Sequence, residues 1–208
     1  VGSDVRQGGG RSMKVDGGDF YFVTTEGVSS HLNRINKEGD FERISTDQGS
    51  IEHFDVIDGQ IYFAAFRGLN LAEIYTLTSD GEELCLTDFN PSFAEYKLGT
   101  LESFVYRYGE DELEAFVILP PGYDASKRYP SILTSHGGPK TVYGTIYFHE
   151  MHFLASQGYI LYYTNPRGSD GQGRDWADIR GRYGSVEYEQ LMRLTDEVPE
   201  RYPAVDPD

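Results

Sequence analysis

Short apolar runs broken by turn residues dominate the first part of the chain. Between residues 53 and 87 they read HFDVIDG, QIYFAAFRG, EIYTLTSDG and ELCLT. Runs rich in aromatic and β-branched residues that end in Asp-Gly or similar punctuation predict four strands joined by turns. The same pattern precedes them. Val15, Asp16 and Gly17 return 42 residues later as Ile57, Asp58 and Gly59, and Phe20-Tyr21-Phe22 returns after 41 as Ile61-Tyr62-Phe63. Gly27 returns as Gly68, while Leu32, Ile35, Gly39 and Ile44 return as Ile74, Leu77, Gly81 and Leu86. Four strands in about 40–45 residues is the period of a β-propeller blade. An ordinary antiparallel meander is the alternative, and the matched offsets through all four strands favour the blade. A closed ring needs about four to eight blades, so two imply that Val1 falls inside a larger ring.

The pattern changes after Asn90-Pro91. LESFVYRYG and ELEAFVILPPGY predict two strands around a charged turn at Gly109-Glu110-Asp111, ended by Pro120-Pro121. YPSILTSHGGP is a nearly continuous apolar run, as in a strand buried on both faces. YFHEMHFLASQ, residues 147–157, predicts a helix with Phe148, Met151 and Leu154 on its apolar side and Gly158 as its stop. YILYYTNP predicts another buried strand. A longer helix follows over SVEYEQLMRLTDEVPERYP, capped by Ser185, with Val186, Leu191, Leu194 and Val198 on one side and Pro199 disturbing its last turn. This alternation predicts parallel pairing with right-handed crossovers, and a further buried strand is expected to begin at residues 204–208. The chain thus divides into a partial propeller of about two four-stranded blades, residues 1–92, and the N-terminal portion of an α/β domain, residues 93–208.

Composition narrows the function classes. With 34 acidic residues against 18 basic ones and a net charge of −16, nucleic acid is not an expected partner, because phosphate binding needs a basic face. Aromatic residues make up 14%, enough apolar surface to argue against disorder. No apolar run reaches the about 18 residues of a membrane helix, and VGSDVRQGGG has no secretory core. Cys85 is the single cysteine, so no internal disulfide is possible and a cytoplasmic setting is expected.

Two segments carry candidate chemistry. Ser135-His136-Gly137-Gly138-Pro139 directly follows a predicted buried strand. In α/β-hydrolases that loop supplies an oxyanion-hole N–H, and adjacent glycines let the backbone turn an amide toward a substrate oxygen. A plain glycine-rich turn is the alternative. Asn165-Pro166-Arg167-Gly168-Ser169-Asp170-Gly171 closes the next strand; we read it as a structural turn with Arg167 paired to a carboxylate, although such loops also border ligands. His149 and His152 stand three apart, whereas a zinc helix needs four, so no metal is expected. His31 and His53 are expected to be packing or edge residues, and Trp176 and Cys85 to be chemically inert. No Gly-x-Ser-x-Gly nucleophile elbow occurs in the 208 residues, so the chain contains no nucleophile.

Taken together, LTDFNPSFAEYKLG, LEAFVILPPGYD, SHGGP, NPRGSDGQGRDW and IRGRYGSVEYEQLMRLTDEVPERYPAVDPD resemble the prolyl oligopeptidase family of serine peptidases, closest to its acylaminoacyl-peptidase and dipeptidyl-aminopeptidase-like branch. The resemblance covers residues 93–208 specifically, and 10–90 through the blade pattern. It implies a propeller capping an α/β-hydrolase that cleaves short or N-acylated peptides without a cofactor. It implies that Gly138 supplies an oxyanion N–H and that His136, where related branches carry a tyrosine donor, shapes the loop. The triad and the second oxyanion donor would follow Asp208, so the isolated chain is expected to be inactive. Expected partners are a short peptide substrate in the intact parent, and a C-terminal half or further copies of the chain. Two other readings stand beside this one: a non-catalytic piece that complements a separate C-terminal half, and part of an esterase of the same fold.

Overall fold

The computed structural model describes residues 13–45 and 47–206. The segment VGSDVRQGGG, with its reading as non-secretory, and residues 207–208 of the expected last strand lie outside them. Among the described residues no helix is long and apolar enough to cross a membrane. The chain separates into two compact units, residues 1–95 with 144–147, and residues 96–143 with 148–208.

The first unit holds two antiparallel sheets of four strands, each in simple sequential order. One contains β1 (Met13–Asp16), β2 (Asp19–Glu26), β3 (Ser29–Ile35) and β4 (Phe41–Arg43). The other contains β5 (Ser50–Ile57), β6 (Gln60–Phe66), β7 (Glu73–Leu77) and β8 (Glu83–Cys85). The repeated sequence becomes repeated geometry at the first turn of each sheet, where Gly17 corresponds to Asp58 and Gly18 to Gly59, an offset of 41 and not the 42 read there from the sequence. Gly17 and Gly18 turn β1 into β2 at φ +59° and +96°, and Asp58 and Gly59 turn β5 into β6 at +50° and +78°. Two successive positive φ values suit the right-handed twist of a two-residue hairpin, a conformation that Gly and Asp adopt more readily than most residues.

Period-two burial follows. Ile61, Phe63 and Ala65 of β6 are buried while Tyr62 faces outward. They join Tyr21, Leu32, Ile51, Phe54 and Val56 in one core shared by both sheets. Polar residues link the sheets: the Ile51 amide donates to Ser30 Oγ at 2.6 Å and the Ser30 amide to the Gly49 carbonyl at 2.9 Å. His31 is buried on β3, whereas His53 is exposed beside an irregularity in the β5–β6 register.

The second unit is built on a mixed sheet. β9 (Thr100–Tyr108) and β10 (Asp111–Leu119) form an antiparallel hairpin, and β11 (Ser131–Leu133) runs parallel to β12 (Ile160–Thr164). The order is β11-β12-β10-β9, with β10 and β12 antiparallel. β10 therefore stops at Leu119, just before the two prolines that cannot donate to a ladder. Leu113, Ala115, Val117 and Leu119 pack with Leu194 and Val198 of α3 (Val186–Arg201), while Phe116 and Ile118 are buried on the opposite side. α1 (His149–Ser156) packs against β10 and β12, and a single turn, α2 (Arg174–Ala177), lies between β12 and α3. A parallel bridge from Tyr129 to Val205 starts a further pairing beyond β11.

Several expectations are corrected. β11 is half-buried along its length, not buried on both faces, because it lies at the edge of the sheet and among the described residues pairs with β12 alone. α1 starts at His149, and its buried residues are Met151, His152 and Ala155, so its inner stripe is turned by one position from the expected one. α3 buries Gln190, Leu194, Glu197 and Val198. Polar residues replace Val186 and Leu191 there because each has partners: Glu197 meets Arg193 and Arg201, and Gln190 meets Asp111. Ser185 occupies the N-cap position, but its hydroxyl donates to the Arg182 carbonyl instead of accepting from the helix. The helix runs through Pro199 to Arg201.

Candidate functional site

β11 and β12 end side by side, and the loops leaving them meet. The Thr134 amide still donates to Tyr162 O at 2.9 Å. The chain then leaves the sheet as His136, half-buried, and Gly137 and Gly138, both exposed. Gly138 has φ +126°, a conformation that a side chain disfavours. Among the described residues neither the Gly137 nor the Gly138 amide has a hydrogen-bond acceptor. Exposed donors without a protein acceptor can hold an anionic oxygen.

His136 faces inward onto the second loop. Its Nε2 lies 3.2 Å from Asn165 Oδ1 and 3.1 Å from Ser169 Oγ, and its ring meets Tyr143 edge-on at 5.1 Å. Asn165 is bonded both ways to one residue: the Tyr143 amide donates to Oδ1 and Nδ2 donates to the Tyr143 carbonyl, each at 2.8 Å. Farther along, the Asp170 amide donates to the Thr141 carbonyl at 3.0 Å.

The second loop is itself anchored from below. Arg167 makes a two-pronged bond to Asp111, Nε to Oδ2 and Nη2 to Oδ1, each 2.5 Å. Gln190 of α3 completes the cluster, donating to Asp111 at 2.9 Å and accepting from the Arg167 amide at 2.8 Å. The guanidinium lies 4.9 Å from the Trp176 ring, whose Nε1 donates to the Pro166 carbonyl. The Arg167 bonds hold the Asp111 carboxyl below its ordinary range, and Asp111 in turn raises Arg167. The sequence predicted a carboxylate for Arg167, and Asp111 is that carboxylate. Trp176 is buried beside the pair.

Next to these loops a cleft of about 560 Å³ is lined by charges of both signs, including Lys140, Asp170, Arg174, Asp178 and Arg180. Lys140 lies 3.8 Å from Asp170, and Arg180 lowers the Asp178 carboxyl to about 2. His149 stacks on Phe153, whereas His152 is buried and its imidazolium is disfavoured by that burial. Cys85 is exposed, its thiol 3.2 Å from the Thr87 carbonyl. The sequence reading located both loops but missed Asn165 and Ser169 as the residues that grip His136. The only signal was their place in the motif NPRGSD.

Comparison with known proteins gives these loops a context. Residues 145–208 match the model of the prolyl oligopeptidase family. The chain is 32% identical over 197 residues to the peptidase YuxL of Bacillus subtilis, covering 92% of this chain and 30% of that protein. It is 26% identical to dipeptidyl-peptidase 5 of Porphyromonas endodontalis, covering 86% of this chain and 27% of that protein. Its structure is similar to the acylaminoacyl peptidase of Pyrococcus horikoshii, with a TM-score of 0.85 and 30% identity over 94% of this chain and 31% of that one. The chain thus spans less than a third of the length of these relatives. Its likeness to the prolyl oligopeptidase family, read first from motifs, is shown by these matches.

Proposed function

We propose, on the premise of this likeness, that the chain is part of a serine-type peptidase that hydrolyses short or N-acylated peptides by acyl transfer, and that it supplies the oxyanion loop. In this reading residues 1–92 are two propeller blades of a cap and residues 93–208 open the α/β-hydrolase. The observation that carries it is the exposed Gly137–Gly138 pair, with acceptor-free amides, at the end of a strand in a mixed α/β sheet. In the parent a serine attacks the scissile carbonyl, a histidine takes its proton and returns it to the leaving amine, and the Gly138 N–H holds the oxygen as it becomes negative. One such donor is worth about 10²–10³ in turnover. No nucleophile elbow occurs among the 208 residues, so this polypeptide alone binds the developing charge but does not create it. Complementation by a separate C-terminal half is a second reading, motivated by the half-buried β11 at the edge of its sheet. An esterase parent would be exposed by preference for a simple ester over an acyl-amino-acid amide.

The test uses a fluorophosphonate probe on the purified chain of 208 residues. No serine should be labelled at stoichiometry. Full labelling of any serine within the chain would overturn the division of labour proposed here.

A further inference from the structure

The two loops are not equivalent neighbours, because one holds the other. We propose that the 165–170 loop sets the geometry of the oxyanion amides, with Asn165 as a positioning residue acting through His136. The inference rests on the reading of Gly138 as an oxyanion donor.

Hydrogen-bond chemistry orients the contact. The two bonds to the Tyr143 backbone fix which end of the Asn165 amide is oxygen: Oδ1 receives the Tyr143 N–H, and Nδ2 gives to its carbonyl. The atom 3.2 Å from His136 Nε2 is therefore an acceptor. Nδ1 faces an acceptor as well, the Gly137 carbonyl at 3.3 Å. The closer contacts of Nε2, to Asn165 Oδ1 and to Ser169 Oγ at 3.1 Å, assign the hydrogen to Nε2, which donates to Asn165 and shares it with Ser169. Asn165 and Ser169 are 6% and 1% exposed, so both have little room to release the ring. A second anchor holds the far end of the loop. The Asp170 amide binds the Thr141 carbonyl, and Gly168 lets Pro139 come so close that a Cβ there would sit 3.3 Å from the proline Cβ.

Residues 136–141 are thus tied down at both ends on one platform, and the acceptor-free amides lie between the ties. Two adjacent glycines would otherwise sample much backbone space. An oxyanion donor is useful only when held at about 2.7–3.1 Å from the oxygen of the transition state. Asn165 contributes to turnover in this way without touching substrate.

The experiment has a kinetic and a spectroscopic arm. In the full-length parent, Asn165→Ala should lower kcat on an acyl-peptide amide by roughly 10–100-fold, as small misplacements do, with KM changed less than about twofold. His136→Gln, which keeps an amide N–H within reach of Asn165, should retain more kcat than His136→Ala. Gly138→Ala, which disfavours φ +126°, is the control. If it leaves kcat intact, the oxyanion reading fails. If it lowers kcat while Asn165→Ala does not, that reading survives and the positioning role is overturned. Because Asn165→Ala could unfold the protein, the second arm uses the unmodified 208-residue chain. Nitrogen-15 spectra above pH 8, where an ordinary histidine is neutral, should show His136 protonated at Nε2. A ring protonated only at Nδ1 would overturn the proposal.

Discussion

The loops that follow β11 and β12 leave the same end of the sheet and share a glycine-rich composition, yet they are built in opposite ways. Gly137 and Gly138 of the first are exposed, and their amides have no acceptor among the described residues. Asn165 and Ser169 of the second are buried, and Asn165 spends both ends of its amide on Tyr143. The difference shows how a protein can present unsatisfied backbone donors without leaving their loop slack. An exposed amide keeps its hydrogen-bonding capacity for a ligand, and the order it needs comes from polar bonds in the adjoining loop. On that division, damage to the second loop should cost folding free energy, and substitution at the unstrained Gly137 of the first should cost little.

The largest effect is expected at the base of the buried loop. Asp111→Ala removes the acceptor of the two Arg167 bonds and of the Gln190 amide. Both ionised side chains are partly screened, at 26% and 17% exposure, so the loss should be about 2–3 kcal/mol, near the range for bonds to charged groups and not the larger penalty of a fully buried pair. Urea unfolding followed through the Trp176 fluorescence would measure it. The pH dependence has a definite sign. The Asp111 carboxyl is depressed from 3.8 by Arg167, so its contribution is complete above that value and is lost as the pH falls through the lower, folded one. Asp111→Ala should therefore flatten the acid limb of the stability curve below about pH 4. An unchanged midpoint would mean that the second loop is not anchored through this pair.

A smaller effect is expected where the two loops touch. Gly168 has φ +98°, and a Cβ there would lie 2.7 Å from Ile179 Cδ1. Because the Ile179 methyl is the far end of a side chain, much of that overlap can relax, and the backbone term dominates at about 1–2 kcal/mol. Gly168→Ala should lower the same unfolding midpoint by that amount. A wild-type midpoint would show that the loops can separate without cost.

How far these features could be read from the sequence depended on the range of the interactions. The repeat, 41–42 residues long, located the strands of both meander sheets, because period-two burial and positive-φ turns are set by near neighbours. SHGGP and NPRGSDG marked the ends of β11 and β12 for the same reason. Their mutual grip was invisible, since His136 meets residues 29 and 33 positions away. The inner face of α3 was read only in part for a related cause. Apolar spacing placed Leu194 and Val198 there, and both are buried, but it also assigned Val186 and Leu191, whereas Gln190 is buried because Asp111, 79 positions earlier, accepts its amide hydrogen. A polar residue enters a core only with a partner, and a hydrophobic pattern does not reveal partners from distant strands.

The smallest change, and the sharpest contrast with Gly168, is expected at Gly137. Its φ lies outside the left-handed region, and a Cβ there would meet no atom within 4 Å. Neither strain nor overlap then opposes an alanine. The substitution narrows the conformations open to the unfolded chain, which stabilises compatible sites by about 0.4–1 kcal/mol. Gly137→Ala should accordingly leave the urea midpoint of the 208-residue chain unchanged or slightly raised. A fall comparable to that of Gly168→Ala would show that the exposed loop is under the same constraint as its neighbour, and the contrast between the two strand ends would no longer hold.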